Sequence, residues 1–433
     1  MSPTFRSLHN PNYRRYAAGS LVSNTGTWMQ RVAQDWLVLA LTGSGTALGI
    51  TTGLQFLPVL LLSPYAGVVA DRMSKRRLLQ LTQLAMGLSS LVLGLITVLG
   101  LVEVWHVYAI ALIFGVASAF DAPARQSFVS EMVEPSEVPN AVSLNSATFN
   151  MARILGPGLA GLMIGALGGG AGATGWVILI NAASYAAVIW QLDRMDPELL
   201  HSPKRVARTP GMLREGVSYV SGQPKMVMIL IIVFFAGTFG MNFQITSALM
   251  ATDVYGKGAG EFGLLGSTMA IGSLAGALMA ARRTRIRMRL LVLAGLGFGV
   301  AEIVAGLLPT YVAFAVFSPA IGFFVITLLN SANGIMQLES DPQLRGRVMA
   351  LYMTIVMGGT PLGSPIIGWV GETFGARWTL VLGGLLTMAG VGVAVLVFWR
   401  MQRARSVVLT PVGAPGNVFP RVWDNRTVVR ARK

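Results

Sequence analysis

The sequence predicts an all-α membrane protein with twelve transmembrane helices, arranged as two pseudo-symmetric bundles of six. Of the 433 residues, 53% are hydrophobic and only 12% are charged, whereas an ordinary soluble domain has about 25% charged residues. Long apolar stretches follow one another along the whole chain, and one motif recurs at a fixed offset. A soluble fold of this composition would lack the polar residues that a water-exposed surface needs. The protein is therefore expected to be surrounded by lipid.

Twelve stretches have the length and apolar character of a membrane span, which requires about 20 residues. Their predicted bounds are 16–41, 46–70, 78–100, 105–124, 139–166, 175–193, 226–251, 262–281, 290–308, 311–335, 347–371 and 377–399. Inside a bilayer the backbone must satisfy its own hydrogen bonds, so these stretches are predicted to be helices.

The positive charges follow the predicted topology. If the N-terminus is cytoplasmic, 29 of the 33 Lys and Arg residues fall in cytoplasmic segments, and the outer loops contain only Lys257 and Arg377. This asymmetry is typical of multi-spanning proteins and predicts a bacterial inner membrane protein with both termini in the cytoplasm. It also accounts for the net charge of +15 without a nucleic-acid partner.

The spans divide into two halves joined by a polar segment. We predict an N-terminal bundle over 1–193, a cytoplasmic linker over 194–225, a C-terminal bundle over 226–399 and a basic tail over 400–433, disordered or bound to the membrane surface. Around Gly156 and Gly363 the two halves carry similar motifs at an offset of 207, which recurs at Pro135 and Pro342. Repeated halves with a site between them are typical of secondary transporters.

The loop after the second span carries a motif that runs from Gly67 to Arg77. It resembles the signature G-x-x-x-D-R-x-x-[KR]-R of the major facilitator superfamily, and its matching residues are Gly67, Asp71, Arg72, Lys75, Arg76 and Arg77. The resemblance implies a latch on the cytoplasmic side, in which Asp71 faces the eleventh helix. It also implies that Asp121 pairs with Lys75 or Arg76. Alternatively, these residues only anchor the loop and set the topology.

A second motif lies in the fifth span. Arg153, Gly156, Pro157 and Gly161 resemble the core of the antiporter signature of drug and proton exchangers in the same superfamily. Proline removes one helix hydrogen bond and glycine permits close packing, so the motif predicts a bend against a neighbouring helix. A simple structural kink would require the same residues. Ala111 stands where exchangers often carry an arginine in the fourth span, which implies that proton coupling lies elsewhere.

Three further segments narrow the resemblance. Asn10–Arg15, Gly26–Trp28 and Asp121–Gln126 are similar to the subgroup that contains the enterobactin exporter and the macrolide and tetracycline efflux proteins. This similarity extends over nearly the whole transmembrane region and implies export.

Ionisable residues inside the spans are candidates for function, because a charge at bilayer depth is costly unless it is paired or hydrated. Arg31 and Asp35 are four residues apart and can share one helix face with Gln34, either lining the cavity as a proton-coupling pair or forming a permanent ion pair. Glu302 has no charged neighbour at helical spacing and either carries a proton or is structural. Arg153 either attracts an anion or pairs with Asp35 or Asp121.

These features predict a proton-coupled exporter of small amphiphilic molecules, such as drugs, siderophores or other metabolites, that works by alternating access. Trp28 and Phe149 are candidates to line its cavity. The partners would be the substrate, protons and the lipid bilayer, for a monomer without enzymatic activity, cofactor or metal site. The sequence contains no phosphate-binding loop, which argues against ATP as the energy source. An uptake symporter or facilitator, and a non-transporting membrane sensor, remain alternatives.

Overall fold

The computed structural model describes residues 3–201, 212–283 and 286–409, apart from the side chains at a few positions that include Asp71. Within these ranges the chain folds into helices joined by short connections, with no β-strand. The all-α fold class is therefore confirmed.

The first half contains six long helices. They are α1 (Pro11–Thr42), α2 (Gly45–Arg72), α3 (Lys75–Val98), α4 (Val104–Phe128), α5 (Val138–Ala166) and α6 (Ala171–Asp193). The second half contains shorter pieces as well as long helices. They are α7 (Met212–Ser221), α8 (Pro224–Phe235), α9 (Phe243–Leu249), α10 (Ala259–Ala281), α11 (Met288–Leu307), α12 (Tyr311–Glu339), α13 (Arg345–Phe374) and α14 (Ala376–Leu409).

The turn between α1 and α2 shows how the local sequence sets the helix ends. Gly43 adopts a left-handed backbone with φ of 61°, a conformation that glycine tolerates at a helix C-terminus. The hydroxyl of Ser44 then accepts a hydrogen bond from the Ala47 amide, which caps the N-terminus of α2. The chain thus reverses direction within two residues, and the two helices are antiparallel.

Ten helical segments of the described chain are long and apolar enough to cross a membrane. Two more helices, α1 and α5, have 32 and 29 residues but contain polar and charged residues that lower their hydropathy. Together these agree with the twelve predicted spans. The two least apolar spans are also those that carry Arg31, Asp35 and Arg153, so their polarity marks the functional region.

The seventh span departs from the prediction of one continuous helix over 226–251. Here α8 passes into a π-helical turn, Ala236–Gly240, and the helix is interrupted at Met241 and Asn242 before α9 begins. A second π-helical turn, Met250–Val254, follows α9. Isolated π-helical turns occur frequently at functional sites. The break lies near the middle of the predicted span.

Two other segments contain helical structure that the sequence analysis did not predict. The tail was expected to begin at 400, but α14 continues to Leu409, because its last turns carry no proline or glycine. The linker over 194–225 contains a helix, α7, which is amphipathic and packs against α13 and α8. The remaining parts of both predictions, residues 202–211 and 410–433, lie outside the described residues.

The two groups of helices meet mainly through α2 against α13 and α5 against α10. Both contacts depend on small residues, because a Cβ atom on Gly49 would lie 3.0 Å from the Cα of Pro365, and one on Gly161 would lie 2.9 Å from the Cα of Gly263. These glycines lie toward the outer ends of their helices, which are the ends that the charge pattern predicts to be external. The halves are therefore in backbone contact at their outer ends.

A polar contact reinforces this outer closure. The carboxylate of Glu372, near the end of α13, accepts hydrogen bonds from the Ser44 hydroxyl (2.6 Å) and the Thr46 amide (3.0 Å) at the start of α2. A carboxylate at a helix N-terminus is stabilised by the helix dipole and by the free amides of the first turn. The described conformation is therefore closed at the outer side by both packing and charge.

Candidate functional site

A cavity of about 400 Å³ lies between the two groups of helices. Its walls come from α1, α2 and α5 on one side and from the broken seventh span, α10 and α13 on the other. The wall is mostly apolar, and its aromatic members are Trp28, Phe56, Phe149, Phe243 and Phe262. A concave, largely apolar site with a few polar groups is the usual form of a small-molecule binding site.

Aromatic contacts hold one wall of the cavity in place. Trp28 on α1 and Phe149 on α5 meet edge to face, with ring centroids 6.0 Å apart. Both were predicted from the sequence to line a cavity, and the structure places both on its wall. Asn242 and Gln244 from the broken seventh span contribute amide groups on the opposite side.

Arg31 and Arg153 are the charged residues of the cavity wall. The guanidinium carbon of Arg31 lies 4.8 Å from the ring centroid of Trp28 and 5.4 Å from that of Phe56. Arg153 donates a hydrogen bond from Nη2 to Oδ1 of Asn150, at 3.1 Å. In both arginines the Nε atom is buried and makes no hydrogen bond within the described residues. Two cationic groups with unused donors thus face one cavity.

Asp35 lies behind this wall rather than on it. Its side chain is buried, with 7% exposure, and its Oδ2 atom has no hydrogen-bond partner within the described residues. It forms no ion pair with Arg31, although the two are one helical turn apart. The predicted position of Gln34 on the cavity face is wrong, because Gln34 is buried away from the lining. The predicted pairing of Arg153 with Asp35 or Asp121 is also absent.

Glu302 occupies a separate buried site in the second half. It is 2% exposed, and its Oε2 atom makes no hydrogen bond within the described residues. A Cβ atom on Gly240, in the first π-helical turn, would lie 2.9 Å from this Oε2 and 2.9 Å from the Oγ1 of Thr387. Glu302 therefore borders the break of the seventh span, away from the lining of the central cavity.

The motif of the fifth span packs on two neighbours at once. A Cβ atom on Gly156 would lie 3.0 Å from the Thr25 carbonyl oxygen of α1, and Pro157 lines the cavity. The Ser267 hydroxyl of α10 donates to the Ile154 carbonyl oxygen at 2.6 Å, close to the place where Pro157 deletes a backbone donor. With Gly161 at the outer contact, the motif joins both halves at the edge of the cavity.

The motif after the second span is arranged differently from the prediction. Lys75 forms an ion pair with Glu131, and Arg76 donates from Nε to the Leu192 carbonyl oxygen at 2.6 Å. Both basic residues therefore tie α3 to other helices of its own half. Arg72 and Arg77 are exposed, and Gly67 is half-buried. The side chain of Asp71, expected to face the eleventh span, lies outside the described residues.

The predicted partner of Asp121 is wrong. Its carboxylate accepts hydrogen bonds from Arg125 (3.0 Å), Thr82 (2.9 Å) and Gln83 (2.7 Å). Arg125 is one helical turn away on the same helix, so it reaches the carboxylate without any movement of α3. Lys75 lies closer to the membrane surface and meets Glu131 instead.

The family model for transmembrane secretion effectors of the major facilitator superfamily matches residues 2–415. The chain belongs to this family. This major facilitator protein is 28% identical, over 88% of its length and 94% of the relative, to the multidrug efflux pump Tap of Mycolicibacterium fortuitum. It is 22% identical, over 90% of its length and 96% of the relative, to the staphyloferrin A transporter of Staphylococcus aureus. The comparisons identify a membrane transporter, not an enzyme, and confirm the resemblance seen in the sequence.

Solved structures agree with the fold. A D-xylose-proton symporter superimposes with a TM-score of 0.69 at 11% identity, over 89% of this chain and 97% of that one. At this identity the likeness supports the major facilitator fold alone.

Some residues of the facilitator's site could not be identified from sequence. Glu131 follows α4 and Phe56 is one of many apolar residues in α2, so no local pattern marks either of them. The interruption of the seventh span could have been predicted from the sequence. Gly237 and Gly240 lie three residues apart, just before Asn242, and glycine weakens a helix.

The ion pair between Lys75 and Glu131 should contribute strongly to stability. Both side chains are largely buried, with 11% and 7% exposure, and removal of one partner leaves an uncompensated charge that costs about 3–5 kcal/mol. Lys75→Met and Glu131→Gln are each expected to lower the melting temperature in detergent. The melting temperature of the double variant should fall by less than the sum of the two single decreases. Strictly additive losses would show that the pair contributes no coupling energy.

Proposed function

We propose that this transporter is a proton-driven exporter of small amphiphilic molecules that works by alternating access. The observation that supports the proposal most directly is the cavity between the two halves, closed at its outer side by backbone contacts between α5 and α10. A carrier closed at one side and hollow in the middle needs only to rock its halves about that site to expose it to the other side.

Export is favoured over uptake by the motif of the fifth span and by the relatives. Gly156, Pro157 and Gly161 lie where α5 meets α1 and α10, so movement at this joint changes the cavity and the outer contact together. Two relatives that match most of the chain are the multidrug efflux pump Tap and the staphyloferrin A transporter, and the first of these is an exporter.

Protons are proposed as the coupling ion, with Asp35 as the first carrier. A carboxyl group buried without a partner is more stable in its neutral form, and it ionises when water or a cation reaches it. Asp35 lies one helical turn from Arg31 on the cavity wall, so opening and closing of the cavity changes its surroundings. Glu302 is the second candidate, because it is also buried with an unpartnered oxygen.

The charge asymmetry supports a location in the bacterial inner membrane with both termini in the cytoplasm. One hydrophobic core runs through both halves, and the cavity is complete within one chain. We therefore propose that the transporting unit is a monomer.

Everted membrane vesicles provide the decisive test. An exporter should accumulate a fluorescent amphiphile inside vesicles energised to an acidic interior, and a protonophore should abolish the accumulation. Vesicles from cells without the protein serve as the control. Accumulation only in right-side-out vesicles would identify an uptake symporter instead, and failure in both orientations across a broad substrate panel would favour a sensor.

A further inference from the structure

We propose that the central cavity selects amphiphilic anions, which are molecules with a carboxylate, sulfonate or phosphate group attached to an aromatic or aliphatic body. This inference deepens the proposed function by naming a substrate class. It requires that the cavity is the substrate site, but it does not depend on the direction of transport or on the coupling ion.

The first argument is the balance of charge on the wall. Arg31 and Arg153 are cationic, and no Asp or Glu among the described residues contributes to the lining. Asp35, the carboxylate nearest in sequence, is buried behind the wall and is therefore not available for contact with a ligand. A cationic ligand would meet two like charges in a site of low dielectric and would find no carboxylate to offset them.

The second argument is the hydrogen-bonding state of the two arginines. Each has a buried Nε atom without a partner within the described residues, and a buried donor left unpaired costs about 1–3 kcal/mol. A guanidinium presents its donors as a planar fork that matches the oxygens of a carboxylate, sulfonate or phosphate group. An anionic ligand in the cavity therefore offers acceptors to two guanidinium groups whose hydrogen bonding within the described residues is incomplete.

The third argument concerns the aromatic faces. Amphiphilic cations bind proteins over the faces of Trp, Tyr and Phe rings, and Trp28 and Phe56 are two of the five rings on the cavity wall. The guanidinium of Arg31 already lies over both of them, at 4.8 and 5.4 Å. The protein's own cation thus covers the two rings beside it and competes there with a cationic ligand.

The rest of the wall accounts for the apolar body of the ligand. Phe149, Phe243, Phe262 and Met269 provide apolar surface within the same cavity, which favours ligands with a hydrophobic part. Gln244 adds a neutral amide that can bind a further donor or acceptor of the ligand, whereas the amide of Asn242 is already bonded to Thr238 and Ser364. The site therefore distinguishes ligands mainly by the sign of their charge.

The test uses three probes of one shape and different charge: 2-naphthoate, 2-naphthamide and 2-naphthylmethylammonium. Their affinities for the purified full-length protein in detergent are measured by titration calorimetry. We expect naphthoate to bind most tightly and the ammonium probe most weakly. Arg153→Gln and Arg31→Gln should each weaken naphthoate binding by about tenfold or more, because each removes a charged hydrogen-bond donor, while Arg153→Lys should keep the preference for the anion.

The matched control is Arg282→Gln, which removes an exposed arginine at the end of α10 and should leave naphthoate affinity unchanged. Melting curves without ligand confirm that each variant is folded, and Arg153→Gln alone suffices if Arg31→Gln does not fold. Tighter binding of the ammonium probe, absence of naphthoate binding, or an anion preference that survives both glutamine substitutions would overturn the inference. Anion binding without transport in vesicles would refute the export proposal alone, whereas proton-driven export of cations only would refute the substrate class alone.

Discussion

Asp35→Asn is expected to reduce proton-driven accumulation in everted vesicles to the level of vesicles without the protein. Asparagine has nearly the same shape as aspartate but cannot exchange a proton, so the carrier loses the group that we propose to be protonated and deprotonated in each cycle. Exchange of labelled for unlabelled substrate across the membrane needs no net proton movement and should persist. This difference between driven transport and exchange separates a coupling role from a purely structural one.

The control for this experiment is Asp253→Asn, which alters an exposed carboxylate near the outer end of the seventh span and should leave accumulation intact. If Asp35→Asn transports normally against a gradient, Asp35 is not the proton carrier. Glu302→Gln would then be expected to show the uncoupled behaviour. Loss of exchange as well as driven transport in Asp35→Asn would indicate a structural role.

Gly161→Leu should hold the outer side open and stop transport. A Cβ atom at this position would lie 2.9 Å from the Cα of Gly263 and 3.0 Å from the Gly260 carbonyl oxygen, and backbone atoms cannot move aside as a flexible side chain can. Overpacking of this kind costs about 1–3 kcal/mol, which shifts the equilibrium between the closed and open outer ends by about 5-fold to 150-fold.

Accessibility of the cavity from outside measures this shift directly. The sequence contains no cysteine, so Gln244→Cys, on the cavity wall, introduces a single reactive thiol. A membrane-impermeant maleimide applied to intact cells should label it faster in the Gly161→Leu background. Gly165→Leu, one turn further along α5, is the matched control, because the nearest atom to its Cβ lies 3.9 Å away. Equal labelling in both backgrounds would show that this contact does not control the outer side.

The spans and the family were predictable because the information for both is local. Membrane spans follow from runs of apolar residues, and the motif from Gly67 to Arg77 is continuous in sequence. The small residues Gly156 and Gly161 predicted close packing in the same way, since glycine in a membrane helix usually marks a contact.

The side-chain partners were not predictable, because they depend on the relative depth and rotation of helices. The sequence predicts that Asp121 pairs with Lys75 or Arg76, but Asp121 is bonded within its own helix to Arg125. Lys75 meets Glu131 instead, and Arg76 meets the Leu192 carbonyl oxygen. The spacing of Arg31 and Asp35 permits an ion pair, but the aromatic rings of Trp28 and Phe56 draw the guanidinium toward the cavity. Helical spacing determines which side-chain contacts are possible, and tertiary packing determines which of them form.

The positive charge of the cavity wall also makes the transport cycle sensitive to voltage. Moving one elementary charge across the membrane potential is worth about 2.3 kcal/mol per 100 mV, and the empty cavity carries the charges of Arg31 and Arg153. A negative cell interior therefore favours the return of the substrate-free, protonated carrier to the inward-facing state. A cargo with one negative charge neutralises one of the two positive charges and a dianionic cargo neutralises both, so the loaded step depends less on voltage. Turnover should then be set by how fast the electric field resets the substrate-free protein.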